Sequence, residues 1–173
     1  IYKVRDRIDS YVNREMKGSL LYKEKKLGHS EKDVIIQFDQ ERLLVQYSNF
    51  GESIDPVKIE PGSFDPLSVF FAFRLYDPGL HKEIRIPVSD GKKSAIGKAV
   101  VIKREKIEVS GIPYDTFLVE PDLEHLGGVF QKSPGAKLQI WVTADPRRIP
   151  VRIKSNVSVG SFVAELVSYE AGK

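Results

Sequence analysis

The sequence predicts an all-β, mainly antiparallel protein: a strongly curved meander sheet or partial barrel with one short helix against its concave face. Three observations lead to this prediction. Apolar and polar residues alternate with period two along most of the chain, turn residues separate the alternating segments, and a single segment has helical spacing instead. Because the connections are short, we expect hairpins, which pair neighbouring strands antiparallel.

The alternating segments predict ten strands. In the clearest one, Ile149, Val151 and Ile153 alternate with proline or charged neighbours, a pattern typical of a strand with one face on a core and the other in water. The segment 95–109 is long for a strand, so we expect it to bend or twist strongly. The predicted strands are 1–12, 19–28, 32–39, 42–48, 82–89, 95–109, 115–121, 137–143, 149–157 and 161–169.

One segment, Leu67–Leu75, predicts a short apolar helix. Asp65 is suited to cap this helix and Pro66 to its first turn, and the residues Asp77-Pro78-Gly79 are expected to end it. Its large apolar side chains belong to Leu67, Phe70, Phe71, Phe73 and Leu75.

A helix this apolar must be covered nearly all round or must itself cover something. Two interpretations stay open. In the first, the helix is a core plug that fills the concave side of the sheet. In the second, it is a lid over an apolar pocket, and the candidate ligand-binding residues are then Leu67, Phe70, Phe71, Phe73 and Trp141.

Length and charge limit the possible classes of protein. With 173 residues, one domain is the simpler prediction, and the loop 49–64 is the only candidate break. The 27 basic and 24 acidic residues are interspersed along the chain, whereas nucleic-acid-binding proteins concentrate basic residues on one face. No apolar run approaches the roughly 18 residues of a membrane helix. We therefore expect no nucleic-acid partner and no transmembrane segment in this chain.

The search for catalytic and metal-binding motifs is negative. The chain has no cysteine, so disulfides, thiolate metal sites and cysteine nucleophiles are excluded. The three histidines, His29, His81 and His125, share no ligand spacing, and no hydrolase, metalloprotease or phosphate-binding motif occurs. We predict no catalytic residue, no metal site and no cofactor, while two acids that meet only in space remain a possible hydrolase pair.

The polar segment Asp145-Pro146-Arg147-Arg148 lies between two strongly alternating strands. Asp before Pro favours a turn, and an arginine pair can hold a carboxylate by parallel hydrogen bonds. The main interpretation is a hairpin turn pinned by Asp145 with Arg147 and Arg148. An anion or headgroup site at the rim of a pocket is the alternative, and catalysis is a third.

The same hairpin carries a resemblance to a known family. The run W-V-T-A-D-P-R-R-I-P-V-R-I at 141–153, P-G-S-F-D-P-L-S at 61–68 and G-I-P-Y-D-T-F-L-V-E-P at 111–121 resemble an uncharacterised family of bacterial domains of unknown function, widespread in Gram-negative envelopes. The resemblance covers essentially the whole chain. More distantly, the hairpin and the helix resemble the Lol-type lipoprotein carriers and receptors, whose curved sheets take acyl chains on an apolar face.

The resemblance implies a periplasmic or outer-membrane-associated protein without known catalytic residues. Family members usually carry a signal peptide and further strands, so a chain that begins at Ile1 in strand-like sequence is expected to lack N-terminal strands of the domain. The expected function is non-enzymatic binding of an apolar or acyl-bearing ligand, with a lipid or acyl chain as partner. The alternative is a structural module with a filled core that recruits an envelope protein by its sheet edge.

Overall fold

The computed structural model describes residues 6–28, 31–76, 79–80, 82–122, 137–157 and 160–170. Its strands are mainly antiparallel and form two sheets, with one short helix, which confirms the predicted fold class. The strands are Arg7–Val12 (β1), Ser19–Lys26 (β2), Lys32–Asp39 (β3), Leu44–Asn49 (β4), Glu52–Ser53 (β5), Val57–Lys58 (β6), Glu83–Ser89 (β7), Ser94–Val109 (β8), Ile112–Pro121 (β9), Lys137–Thr143 (β10), Pro150–Val157 (β11) and Gly160–Glu165 (β12).

Most predicted strands lie within a few residues of the observed ones. The short strands β5 and β6 fall in the segment 49–64, which the sequence predicts as a loop, and the strand expected to reach residue 169 ends at Glu165. Residues 1–5 of the first predicted strand lie outside the described residues.

Contacts divide the chain into two compact units, Ile1–Phe73 with Ile86–Ile96, and Arg74–Arg85 with Gly97–Lys173. The prediction of one domain stays a prediction, because two compact units can still unfold together as one cooperative system.

In the first unit, the strand order is β1-β2-β3-β4-β5, and β6 pairs with β4. The alternation in β3 has the predicted effect: Val34, Ile36 and Phe38 are buried, while Ile35 and Gln37 are exposed. The three buried residues of β3 form a core with the buried side chains of Tyr22, Val45 and Ile59.

The second sheet has the order β12-β11-β10-β9-β8-β7. The long strand β8 carries a register shift between Val101 and Lys103, an irregularity of the kind that bends a strand. Directly paired residues place Val101, Val119 and Ile140 in one buried row on one face. Trp141, on β10 beside this row, packs with Val109, Leu118 and Val151 in a separate core.

The helix spans Ser68–Ala72 (α1), and a 3-10 turn extends it over Phe73–Leu75. The residue directly before α1 is Leu67, whose side chain makes no capping bond. Asp65 has the predicted capping role from two residues further upstream, since its Oδ1 accepts the backbone N–H of Leu67 at 2.8 Å and of Ser68 at 2.9 Å. The predicted stop at residues 77–78 lies outside the described residues.

The exposure of α1 differs from the expectation of a core plug. Its buried residues are Ser68 and Ala72, whereas Phe70 and Phe71 are 37% and 51% exposed. The core-plug interpretation therefore does not hold for these two phenylalanines. A small-residue face allows the helix to approach its neighbours closely, and the large side chains are left outside.

Candidate functional site

The turn between β10 and β11 is organised by one carboxylate. Asp145 Oδ2 accepts hydrogen bonds from Arg147 Nη2 at 2.6 Å and Nε at 3.2 Å, and Oδ1 accepts the backbone N–H of Arg147 at 2.9 Å. Thr143 Oγ1 donates to Oδ1 at 3.1 Å and accepts the N–H of Ile149 at 2.9 Å. Through Thr143 and Arg147, the side chain of Asp145 thus joins the end of β10 and the residues before β11 to the turn.

The second arginine of the turn has a different partner from the predicted one. Arg148 adopts a left-handed backbone with φ of 47°, and its Nη1 donates to the carbonyl oxygen of Arg74. Arg74 in turn donates through Nε and Nη2 to the carbonyl oxygen of Arg147 at 2.9 and 2.7 Å. Only Arg147 holds Asp145, while Arg148 ties the turn to the segment after α1.

A second Arg–carboxylate pair lies on the neighbouring hairpin. Arg104 donates to Asp115 Oδ2 at 2.5 Å and to Oδ1 at 3.1 Å. The Asp115 carbonyl oxygen accepts the N–H of Ala144 at 2.8 Å, which joins the two hairpins. The arginine hydrogen bonds lower the pKa of Asp145 and of Asp115, because they stabilise the ionised carboxylates.

These two ion pairs flank an open cleft in the second unit. Its volume is about 480 Å³, within the range of small-molecule sites. The lining combines the charged pairs with a larger apolar surface, contributed by Pro113, Tyr114, Ala144, Ile149, Val151, Leu166 and Tyr169. The cleft is therefore amphipathic, and each arginine on it is already neutralised by a carboxylate.

A second open cleft, of about 650 Å³, lies in the first unit. Apolar side chains and two cations form most of its lining: Leu43, Leu44, Ile59, Ala95 and Ile96, with Arg42 and Lys58. Glu60 is the one carboxylate of this lining.

The candidate ligand-binding residues from the sequence fall in both compact units: Trp141 belongs to the second, and Leu67, Phe70, Phe71 and Phe73 belong to the first. Trp141 is buried, and its Nε1 donates to Glu105 Oε1 at 2.9 Å. Lys103 and this indole N–H lower the pKa of Glu105, in that order of effect. Leu67 packs against the first core, and neither Trp141 nor Leu67, Phe70, Phe71 and Phe73 lines either cleft.

A buried polar cluster in the first unit was missed by sequence reasoning. Asp65 is fully buried, and its Oδ2 accepts hydrogen bonds from the hydroxyls of Ser10 and Ser19 at 2.6 Å and of Ser68 at 2.7 Å. Ser19 Oγ also accepts the backbone N–H of Asp65 at 2.8 Å. The helix cap was visible in the sequence, but two of the three serines lie 46 and 55 residues away.

The described residues show no arrangement for metal binding or membrane crossing by a helix. No group of three or more His, Cys, Asp or Glu side chains in this part of the chain is positioned to hold a metal ion. No described helix has the length and apolar character that crossing a bilayer requires. The three histidines named above lie outside the described residues.

Fold and site define an antiparallel β-protein of two sheets with open, amphipathic clefts. The chain belongs to the family described as protein of unknown function (DUF3108), whose model matches residues 1–167. No curated protein and no solved structure matches the chain.

Proposed function

We propose that this protein is a non-enzymatic protein of the Gram-negative cell envelope that binds an apolar or acyl-bearing ligand in the cleft beside the Asp145 turn. The observation that carries the proposal is an open cleft of about 480 Å³ lined both by apolar side chains, here called its wall, and by the Arg104–Asp115 and Arg147–Asp145 pairs, here called its rim. Ligand sites of this size are typically lined by apolar and aromatic side chains with a few placed polar groups.

The wall of the cleft suits the apolar part of such a ligand. Tyr114 and Leu166 pack on the core around Trp141, so the wall is held by a formed core and needs little ordering when a ligand arrives. Tyr169 adds an aromatic ring at the cleft. Covering this apolar surface with a hydrocarbon chain removes it from water, at about 25 cal/mol per Å².

The rim suits an uncharged or zwitterionic polar head. Both arginines of the rim are paired with carboxylates at short distances, so an added anion has to compete with Asp115 and Asp145. A head that donates and accepts hydrogen bonds can use the outer edges of these pairs without breaking them.

The envelope location and the kinship with Lol-type lipoprotein carriers rest on resemblance. The resemblance to the Lol-type proteins comes from the hairpin sequence W-V-T-A-D-P-R-R-I-P-V-R-I and from the helix α1. The proposal needs no catalytic step, in keeping with a sequence in which no catalytic motif occurs.

Filling the cleft tests the proposal directly. Ala144 lines the cleft, so Ala144→Trp should occupy the space of the ligand without deleting any core side chain. We expect the wild-type protein to bind a fluorescent long-chain monoacylglycerol, whose head is uncharged, saturably, and Ala144→Trp to weaken binding at least about tenfold, equivalent to about 1.4 kcal/mol. The measurement is a fluorescence titration, with native mass spectrometry to detect lipid that co-purifies.

The matched control is Ile54→Trp, which adds the same side chain at an exposed position that lines neither cleft. It should bind like wild type. A wild-type protein that captures no acyl probe contradicts the proposed function. Equal binding by Ala144→Trp and wild type moves the site away from this cleft.

A further inference from the structure

Edge strands decide whether a β-protein stays alone in solution, because their unpaired N–H and C=O groups can pair with another chain. Among the described strands, β1 and β5 end the first sheet, β6 pairs only with β4, and β7 and β12 end the second sheet. Natural proteins protect such edges with charges, prolines, short strands or covering segments.

The other edges of the described strands carry more such protection than β12. The edge strand β1 holds the Arg7–Asp9 ion pair at 2.8 Å, while β5 and β6 have two residues each. Strand β7 contains Arg85 and Pro87. The backbone of Phe64 also makes two hydrogen bonds to β7: its N–H donates to the carbonyl oxygen of Pro87, and its carbonyl oxygen accepts the N–H of Ser89, each at 2.9 Å.

β12 has less protection, because its single charge is Glu165 at its C-terminal end, where it pairs with Arg152 at 2.6 Å. Its first five residues, Gly160–Ala164, carry no charge and no proline, and all six of its residues are exposed. Its described pairing is with β11 alone. Phe162 and Val163 are both more than half exposed. Exposed apolar residues on an unpaired edge strand favour pairing with another chain.

The apolar face of the second sheet also runs out to this edge. Residues that pair directly share a face, and one continuous row crosses five strands from β8 to β12. The first three members are buried and Ile153 is 38% exposed, while Ala164 at the edge is exposed. The row is Val101, Val119, Ile140, Ile153 and Ala164.

We propose that β12 pairs antiparallel with β12 of a second copy of this chain, about a two-fold axis that passes through Val163. This register places the two Val163 residues opposite each other and Phe162 opposite Ala164 of the second copy. Ser161 then lies opposite Glu165 of the second copy. The inference concerns an interface and does not depend on ligand binding.

In any two-fold pairing of this kind, side chains on each face stay on that face, because paired positions differ by an even number of residues. Two properties of β12 itself favour a second copy as the occupant. A large phenylalanine meets a small alanine on the apolar face. Glu165 faces an uncharged serine, so the pairing brings no like charges opposite each other, an arrangement that would destabilise it. An isologous contact of this kind closes as a dimer.

A single engineered cysteine tests both the interface and its register. Directly opposed residues of an antiparallel pair have Cα atoms about 4.5–5.5 Å apart, within the usual 4.4–6.8 Å of a disulfide. Since the chain contains no cysteine, Val163→Cys should give one disulfide-linked dimer on oxidation. The matched control is Ile112→Cys, on β9 of the same sheet and 54% exposed against 55% for Val163, which should form no disulfide-linked dimer on oxidation.

A lysine at position 163, on the proposed two-fold axis, tests the interface in a second way. We expect sedimentation velocity to show a concentration-dependent dimer for wild type and for Ile112→Lys, and a monomer for Val163→Lys. The thermal midpoints of all three should agree at a concentration low enough for wild type to be monomeric. A monomeric wild type at all concentrations overturns the proposal. Rapid oxidation of both cysteine variants to dimers also overturns it, because it indicates collision without a specific register.

Discussion

At the scale of the residue, Asp145 combines a turn, an ion pair and a strand end in one side chain. It accepts hydrogen bonds from Arg147 and Thr143, and Thr143 exchanges hydrogen bonds with Ile149 across the hairpin. The position therefore has a clear structural role in addition to its place on the cleft.

We expect Asp145→Asn to lower the free energy of unfolding by about 1–2 kcal/mol near neutral pH, through the lost charge and weakened hydrogen bonds. The pKa of Asp145 is lowered in the fold, so its stabilisation is fully present above the unfolded pKa of about 3.9 and is lost as pH falls through the folded value. Urea midpoints of wild type and variant should therefore converge below about pH 4.

Asp55→Asn is the control for this measurement, since Asp55 is an exposed loop residue. Its midpoint should follow wild type at every pH. A gap for Asp145→Asn that stays constant down to pH 2 would show that the ionised carboxylate contributes nothing beyond the shape of the side chain.

At the scale of the element, α1 is held by polar anchoring more than by its phenylalanines. The carboxylate of Asp65 receives five hydrogen bonds, from two backbone N–H groups at the helix start and three serine hydroxyls. Buried carboxylates of this kind are costly to leave unsatisfied and costly to remove, because their partners then lose an acceptor.

The two kinds of anchoring predict losses of stability that differ in size when side chains are truncated in the same helix region. We expect Asp65→Ala to lower the free energy of unfolding by about 2–4 kcal/mol. Phe71 is half-exposed, so Phe71→Ala should cost less than about 1 kcal/mol, against about 3–5 kcal/mol for a fully buried phenylalanine. Urea unfolding of both variants decides the matter, and a large loss for Phe71→Ala would restore the core-plug interpretation.

At the scale of the whole molecule, two strands contribute to both compact units. β7 passes from the second unit to the first between Arg85 and Ile86, and β8 passes from the first unit to the second between Ile96 and Gly97. Unfolding of either unit thus removes part of both strands.

We therefore expect one cooperative thermal transition, with a calorimetric enthalpy equal to the van't Hoff enthalpy. Differential scanning calorimetry measures both quantities. Two separate transitions would identify the units as two domains and would contradict the single-domain prediction.

The sequence by itself determined the features that arise from neighbouring residues. Period-two alternation located the main strands, because each strand has one face on a core. The Asp65-Pro66 pair located the helix start, and Asp145-Pro146 located a turn, because both depend on hydrogen bonds within a few residues.

Only the tertiary structure decided which side chains meet across the chain. The serines around Asp65, the bond from Arg148 to Arg74 and the cleft beside Asp145 join residues that are distant in sequence. The position of β12 at the edge of its sheet likewise follows from the strand order. The sequence pattern of an alternating strand is the same whether the strand pairs with one neighbouring strand or with two. Alternation records which face of a strand is buried, and long-range packing alone determines what lies against that face.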